Sequence, residues 1–210
     1  MSPQPRKVED ADVFAAMGRV MRRVGPAELT LGAIAAEAGV TAGALVQRFG
    51  SKRELILAHW RQPAASAGDR RPRPAARARS PLGELRAAAA LFAKLAVSPR
   101  AASRNLAYMQ SDWADRVIRP HALRYARAAR ARYEQLVTEA VAQGELRADT
   151  DASALARMIE VTIGGSFLAW TLHREGPAAT RFREDLDTML QPYLAQRTTR
   201  RRRASDGAQL

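Results

Sequence analysis

The sequence predicts an all-α protein, with an N-terminal helix-turn-helix domain and a larger C-terminal helical domain. Apolar residues recur at helical spacing along most of the chain, and no segment keeps the alternation that is typical of a strand. Residues 31–50 join two short helical patterns through a glycine turn, which is the arrangement of a helix-turn-helix. We expect about nine helices in total.

Residues 1–62 are predicted to form the first domain, with the helix-turn-helix at about 31–49. A first apolar stripe precedes Gly25-Pro26, and Thr30 is placed to cap the second helix. Gly39 ends that helix, because glycine readily adopts the left-handed conformation of a tight reversal. Thr41 is placed to cap the third helix, and Ser51 opens a fourth.

Residues 63–81 differ in composition, with four Pro, five Arg and no large apolar side chain. We interpret this segment as a basic linker; it is either a solvated tether or an arm that touches the DNA backbone. Helical patterns return in residues 82–196, which we assign to the second domain. Pro120 predicts a kink or a late start in the long helix near residues 115–143. The basic tail, residues 197–210, is predicted to be disordered.

The net charge of +13 favours a polyanionic partner. However, only three of the 34 basic residues are lysine, so the arginine excess also fits a genome-wide composition bias. The absence of cysteine fits a reducing cytoplasm. The polar N-terminus does not resemble a secretory signal, and no segment approaches the roughly twenty apolar residues of a membrane span. We therefore expect a cytoplasmic protein, with no membrane partner, that associates with the nucleoid when it binds DNA.

Residues 13–60 resemble the DNA-binding domain of the TetR family of bacterial transcriptional regulators. The resemblance is carried by Thr30, Ile34, Ala35, Ala38, Gly39, Val40, Thr41, Gly43, Ala44, Leu45, Phe49, Ser51, Lys52 and Leu55. The segment GELRADTDASALARMIE is similar to the junction before the last two helices of such proteins. The resemblance implies a homodimer with one DNA-binding head per subunit and an effector pocket in the larger domain.

The predicted DNA-facing residues lie on the third helix and at the starts of its neighbours. Val46 departs from the family, which usually has a phosphate-binding aromatic residue at this place. Gln47 suits adenine, whereas Arg48 fits either a guanine or a phosphate. The remaining candidates offer phosphate contacts or close backbone approach: Thr30, Thr41, Ala42, Gly43, Ala44 and Lys52.

Two further sets of residues are predicted in the C-terminal domain. Aromatic, Met and His side chains suit an apolar or aromatic effector, although such residues also build ordinary cores; they are Tyr108, Met109, Trp113, His121, Tyr125, Phe167 and Trp170. The last two helices are expected to pair with a second copy, unless their stripes face only their own core. The interface candidates are Ile159, Ile163, Gly164, Phe167, Leu186, Met189, Leu190 and Tyr193.

No motif indicates catalysis, a metal site or a cofactor, since the three histidines are far apart and no phosphate-binding glycine loop is present. We therefore expect a regulator rather than an enzyme, most simply a ligand-responsive homodimeric repressor of a palindromic operator on double-stranded DNA. Two alternatives remain: a weakly specific architectural DNA-binding protein, and a helical ligand-binding protein whose DNA-binding head is degenerate.

Overall fold

The computed structural model of the protein describes residues 8–61 and 80–195. Within these ranges the fold is all-α, as predicted, and its nine α-helices are accompanied by two 3₁₀ turns and one isolated bridge between Leu146 and Leu194. The first four helices are α1 (Asp10–Met21), α2 (Leu31–Ala38), α3 (Ala42–Phe49) and α4 (Lys52–Arg61). The other five are α5 (Pro81–Ala93), α6 (Pro99–Ala114), α7 (Arg119–Ala142), α8 (Ala152–His173) and α9 (Ala178–Leu190).

Local sequence signals explain where several helices begin. The side chains of Ser80, Ser98 and Asp151 accept hydrogen bonds from backbone amides in the first turns of α5, α6 and α8. Ser80 therefore caps α5 and Pro81 is its first residue, although both fall in the segment interpreted as a linker. The rest of that segment and the basic tail lie outside the described residues. Helix α7 begins at Arg119 with Pro120 in its first turn, which is the late start rather than the kink.

The buried residues form two clusters. The head, which we define as α1–α4, packs around a cluster that also includes Tyr108 from α6; its other members include Val13, Phe14, Met17, Leu29, Ile34, Leu45 and Leu55. The body, which we define as α5–α9, packs around a second cluster whose aromatic centre is Phe167 and Phe182, with Phe92 against it. Helix α6 therefore contributes buried side chains to both the body cluster and the head cluster.

Helix α8 is apolar on two faces. One face contributes Leu155, Ile159, Ile163 and Phe167 to the body core. The opposite face carries exposed apolar side chains, which explains why α8 alone among the described helices is long and apolar enough by composition to cross a membrane, with a mean hydropathy of 1.2. The expectation that no segment approaches this composition was therefore wrong for α8, although core helices meet the same criterion.

Candidate nucleic-acid interface

The turn between α2 and α3 is built by residues whose local preferences agree with their positions. Thr30 Oγ1 accepts a hydrogen bond from the Ala33 amide at 3.1 Å, and Thr41 Oγ1 accepts one from the Ala44 amide, also at 3.1 Å. Gly39 has a φ of +71°, in the left-handed region that glycine occupies without strain. These contacts fix the start of α3, which is the recognition helix of the predicted helix-turn-helix.

Helix α3 presents one buried side and one broad exposed side. Leu45 is buried in the head core and Phe49 is partly buried beside it. All six other residues of α3 are exposed: Ala42, Gly43, Ala44, Val46, Gln47 and Arg48. Gln47 follows Leu45 by two residues, so it points about 160° away from the core. The predicted base-reading residue therefore stands at the middle of the outward face.

The three predicted phosphate contacts flank this outward face. Thr30 and Thr41 are both exposed, and their hydroxyl oxygens already serve as helix caps. A hydroxyl has one proton and two lone pairs, so each can accept from the backbone and still donate to a phosphate oxygen. Lys52 Nζ lies 3.4 Å from the Pro26 carbonyl oxygen, which tethers the start of α4 to the loop before α2.

The Arg48 guanidinium group is held by the protein through two polar partners. Its Nη1 donates to the Val8 carbonyl oxygen at 2.5 Å, and its Nη2 forms an ion pair with Asp10. Its Cζ also lies 5.5 Å from the ring centroid of Phe49. The structure therefore groups Gln47 and Val46 on free surface and holds Arg48 against the start of α1.

Glu37 links α1 to α2 beside this surface, and the sequence analysis missed it. Its carboxylate accepts from Arg19 Nε at 2.5 Å and from Arg23 Nη2 at 2.6 Å. These two guanidinium groups, Arg19 first, lower the pKa of Glu37 below its ordinary value. The partners lie 14 and 18 residues away, so no helical spacing within one element indicates the pairing.

A set of polar contacts joins the head to α6 and to Asp115, the residue that directly follows α6, and it too was missed. Trp60 Nε1 donates to Asp112 Oδ2 at 2.9 Å, and the Arg53 guanidinium binds the Asp115 carboxylate at 2.9 and 3.0 Å. The Tyr108 hydroxyl donates to the Val24 carbonyl oxygen at 3.1 Å. Side chains of the head and a side chain of α6 therefore both anchor the C-terminal half of α6 to the head.

The environments of these junction residues set their pKa values. Burial raises the pKa of Asp112, although the Trp60 hydrogen bond opposes this effect. Asp115 shows the reverse: amides of Val117 and Ile118, and then Arg53, lower its pKa. Burial raises the pKa of Tyr108 to about 12, so this phenol stays neutral and keeps its proton for the Val24 carbonyl.

The seven predicted effector contacts do not line one cavity. Tyr108 belongs to the head core, Trp113 is exposed, and Met109 is partly buried on the same helix. His121 and Tyr125 lie on α7, where Tyr125 packs edge-on against Trp60 with ring centroids 6.1 Å apart. The remaining two of the seven predicted effector contacts lie inside the body or at its end.

Of these two contacts, Phe167 is buried between Phe92 and Phe182, with ring centroids 5.5 and 6.3 Å apart. Trp170 Nε1 donates to the Gly176 carbonyl oxygen at 3.0 Å. Trp170 also lines a half-open cavity of about 100 Å³ between α8 and α9, together with His173, Glu175, Arg181 and Asp185. The aromatic positions therefore divide between the head junction and the body core, and the structure gives no common site for them.

The predicted dimer residues require a correction. Five of the eight are buried in the core of their own subunit, so they are unavailable to a second copy: Ile159, Ile163, Phe167, Leu186 and Leu190. Met189 and Tyr193 are partly buried against the same core, and Gly164 is exposed. The outward face of α8 carries Gly164 of that set together with five other residues, and we name the whole face the α8 stripe: Met158, Val161, Gly164, Gly165, Leu168 and Leu172. For the five buried residues, periodicity identified the side of each helix that faces the core of its own subunit.

Within residues 8–61 and 80–195, no group of three or more His, Asp or Glu side chains is arranged to hold a metal ion. The geometry instead presents a capped, exposed helix with polar and small residues on its outer face. Such a surface fits a DNA groove, because small side chains permit close approach and Gln47 supplies paired donors and acceptors.

Comparison with known proteins agrees with this geometry. Residues 15–59 match the family described as bacterial regulatory proteins, tetR family, and residues 106–186 match the tetracyclin repressor-like C-terminal domain. SmeT in complex with triclosan is 25% identical over 89% of this chain and 92% of that chain, with a TM-score of 0.66. SmeT is the repressor of a Stenotrophomonas maltophilia multidrug efflux pump.

Two more distant structures share the fold. A TetR transcription regulator from Haloarcula marismortui is 16% identical over 88% of this chain and 97% of that chain, with a TM-score of 0.67. FadR from Bacillus subtilis, in complex with stearoyl-CoA, is 16% identical over 86% of this chain and 97% of that chain, with a TM-score of 0.66. No protein of curated function matches the sequence significantly. The two family matches, one in the head and one in the body, show that the chain belongs to the tetR family of bacterial regulatory proteins, which are DNA-binding transcription regulators.

Proposed function

We propose that this protein is a homodimeric repressor that binds a palindromic operator through α3 and leaves it when an effector binds the body. The observation that carries the proposal is the outward face of α3, where Gln47 is exposed one turn after the small residues Gly43 and Ala44. The other side of the helix is anchored in the head core through Leu45. A rigid helix with an uncommitted polar face is suited to direct base reading in the major groove.

The DNA contacts follow from this placement. Gln47 pairs with the N6 and N7 edge of adenine, and Val46, about half exposed, meets a thymine methyl group at the side of the helix. Ala42, Gly43 and Ala44 let the backbone approach the bases. Thr30, Thr41 and Lys52 bind phosphates on either side of the groove, which fixes the position of α3 without contributing sequence preference.

The α8 stripe supplies the contact between two subunits. Leu168 and Leu172 are 60% and 75% exposed, which leaves a continuous apolar surface that favours burial. Gly164 and Gly165 lie in the middle of this surface, and nothing lies within 4 Å of a side chain added there. Two α8 helices can therefore cross closely at the glycine pair, with the larger side chains packing above and below the crossing.

The effector is proposed to be a small apolar or aromatic molecule that binds in the body. The complexes of SmeT with triclosan and FadR with stearoyl-CoA support a small-molecule effector. Movement of α6 would reach the head through Trp60–Asp112 and Arg53–Asp115. Affinity for the operator falls if the conformer that binds effector holds the two heads at a different spacing.

Selection of bound sequences from a random double-stranded DNA pool, at near-physiological salt, tests this function. We expect a short palindrome, whose two half-sites are read by the two heads of a dimer. A Gln47→Ala variant is the matched control, since it removes the outward amide and leaves the α3 cap and core unchanged. Binding without enrichment, together with a steep salt dependence, would favour the architectural alternative. No binding at low salt would favour the degenerate-head alternative.

A further inference from the structure

The head contains a direct link between the first turn of α1 and the last turn of α3, which the family assignment does not explain. Arg48 binds the Val8 carbonyl oxygen and the Asp10 carboxylate, and it lies over the ring of Phe49. Phe14, one turn after Asp10, packs against Phe49 with ring centroids 6.0 Å apart. We name this set of five residues the α1–α3 clasp.

Helix geometry explains why Arg48 takes part in the clasp. Arg48 follows the buried Leu45 by three residues, so the two side chains leave the helix only about 60° apart. The Gln47 side chain leaves the helix about 160° away from Leu45. The Arg48 side chain is 36% exposed, and its guanidinium is directed along the head surface toward α1. Its position in the last turn of α3 is also favourable for a cation, since the carbonyl end of a helix carries partial negative charge.

Arg48 would have to give up these partners to reach a base. Its release would leave the Asp10 carboxylate unpaired next to the helix that approaches DNA phosphates. Glu9 and Asp12 add further negative charge at the start of α1. A bound Arg48 neutralises part of this charge, whereas a released Arg48 exposes it to a polyanion. Keeping the clasp closed therefore keeps the Asp10 carboxylate paired beside the DNA.

We infer that Arg48 is a positioning residue, which fixes α1 against the recognition helix, and that base reading by α3 rests on Gln47 and Val46. The inference depends on the proposed operator binding for its effect on specificity. The clasp itself exists in the free protein and is measurable there. This inference gives Arg48 a positioning role in place of the guanine contact and the phosphate contact, the two roles that the sequence leaves open.

The test uses the full-length protein with Arg48→Met, Asp10→Ala and the double variant. The operator recovered by selection and its single base-pair substitutions are the probes. We expect each single variant to weaken binding by about two- to fivefold, as for an exposed ion pair, and by the same factor on every probe. The double variant should bind no more weakly than the weaker single variant, because both changes break one clasp. Arg86→Met, which breaks the Arg86–Asp187 pair in the body, is the matched control and should leave binding unchanged.

Two results would overturn the inference. A change in preference at one base pair only, caused by Arg48→Met, would identify a base contact. An unchanged or higher affinity of Asp10→Ala would show that Arg48 acts on DNA by itself. Hydrogen exchange of the free protein tests the clasp without DNA. It therefore distinguishes an error in the clasp from a failure of the protein to bind any operator. The Asp12 and Val13 amides bond to the Glu9 carbonyl oxygen and should exchange faster in Arg48→Met. An unchanged exchange rate of these two amides in Arg48→Met would also contradict the clasp.

Discussion

Replacing Leu168 with Glu is the sharpest test of the α8 stripe. Full burial of a leucine side chain contributes about 1.5–3 kcal/mol, and 60% of Leu168 is exposed in the subunit. Covering the remaining surface therefore contributes about 1–2 kcal/mol per copy, or about 2–4 kcal/mol for a two-fold symmetric dimer. Glutamate removes this contribution and places two carboxylates in an apolar interface. We expect the dimer dissociation constant to rise by a factor of about 30 or more.

Sedimentation equilibrium over a range of protein concentrations measures this constant. Val97→Glu is the matched control, because Val97 is an equally exposed apolar residue, 67% exposed, outside α8. Neither substitution should change the thermal stability of the subunit, since both positions face outward. An unchanged dissociation constant for Leu168→Glu would refute the reasoning and would mean that the stripe is not the surface between subunits.

Three further predictions address base reading, the head–body junction and the body core. Gln47→Ala should reduce the preference for adenine at one position by about 1–3 kcal/mol, measured by competition between base-substituted operators; an equal loss on random DNA would contradict it. The pKa of Asp115 is lowered in the folded protein, so its contribution to stability is present at neutral pH and is lost as the pH falls through that lowered value. Asp115→Asn should therefore reduce the free energy of urea unfolding at pH 7 more than at pH 3, and an equal reduction at both pH values would exclude this linkage. Phe167→Ala should cost about 3–5 kcal/mol of unfolding free energy, because it removes a buried ring from a packed core; a loss below about 1 kcal/mol would mean that the core collapses around the missing ring.

The fold and the recognition helix were predictable because their signals are local. Gly39, Thr30 and Thr41 act within one turn of their own positions, through backbone conformation and short-range hydrogen bonds. The exposed position of Gln47 follows from its spacing to Leu45 alone. Helix ends and helix faces of this kind are determined by a few neighbouring residues, which is why the sequence identified the helix-turn-helix.

The role of each apolar or charged face was decided by tertiary structure. Helix α8 is apolar on opposite sides, and periodicity does not tell which side meets its own core; the packing of α7 and α9 decides it. By its position in the sequence Tyr108 belongs to the body. Its hydroxyl nevertheless donates to the carbonyl oxygen of Val24, which lies 84 residues earlier, in the head.

Arg48 shows the same limit at the functional surface. Its place on α3 allows a base, a phosphate or a protein partner, and the choice depends on Val8, which lies 40 residues away. By itself the sequence determined the all-α fold, the capped turn and the outward face of the recognition helix, since these depend on neighbouring residues. Only the tertiary structure assigned Arg48 to α1 and the α8 stripe to the surface, because these depend on which distant side chains the fold brings within contact distance.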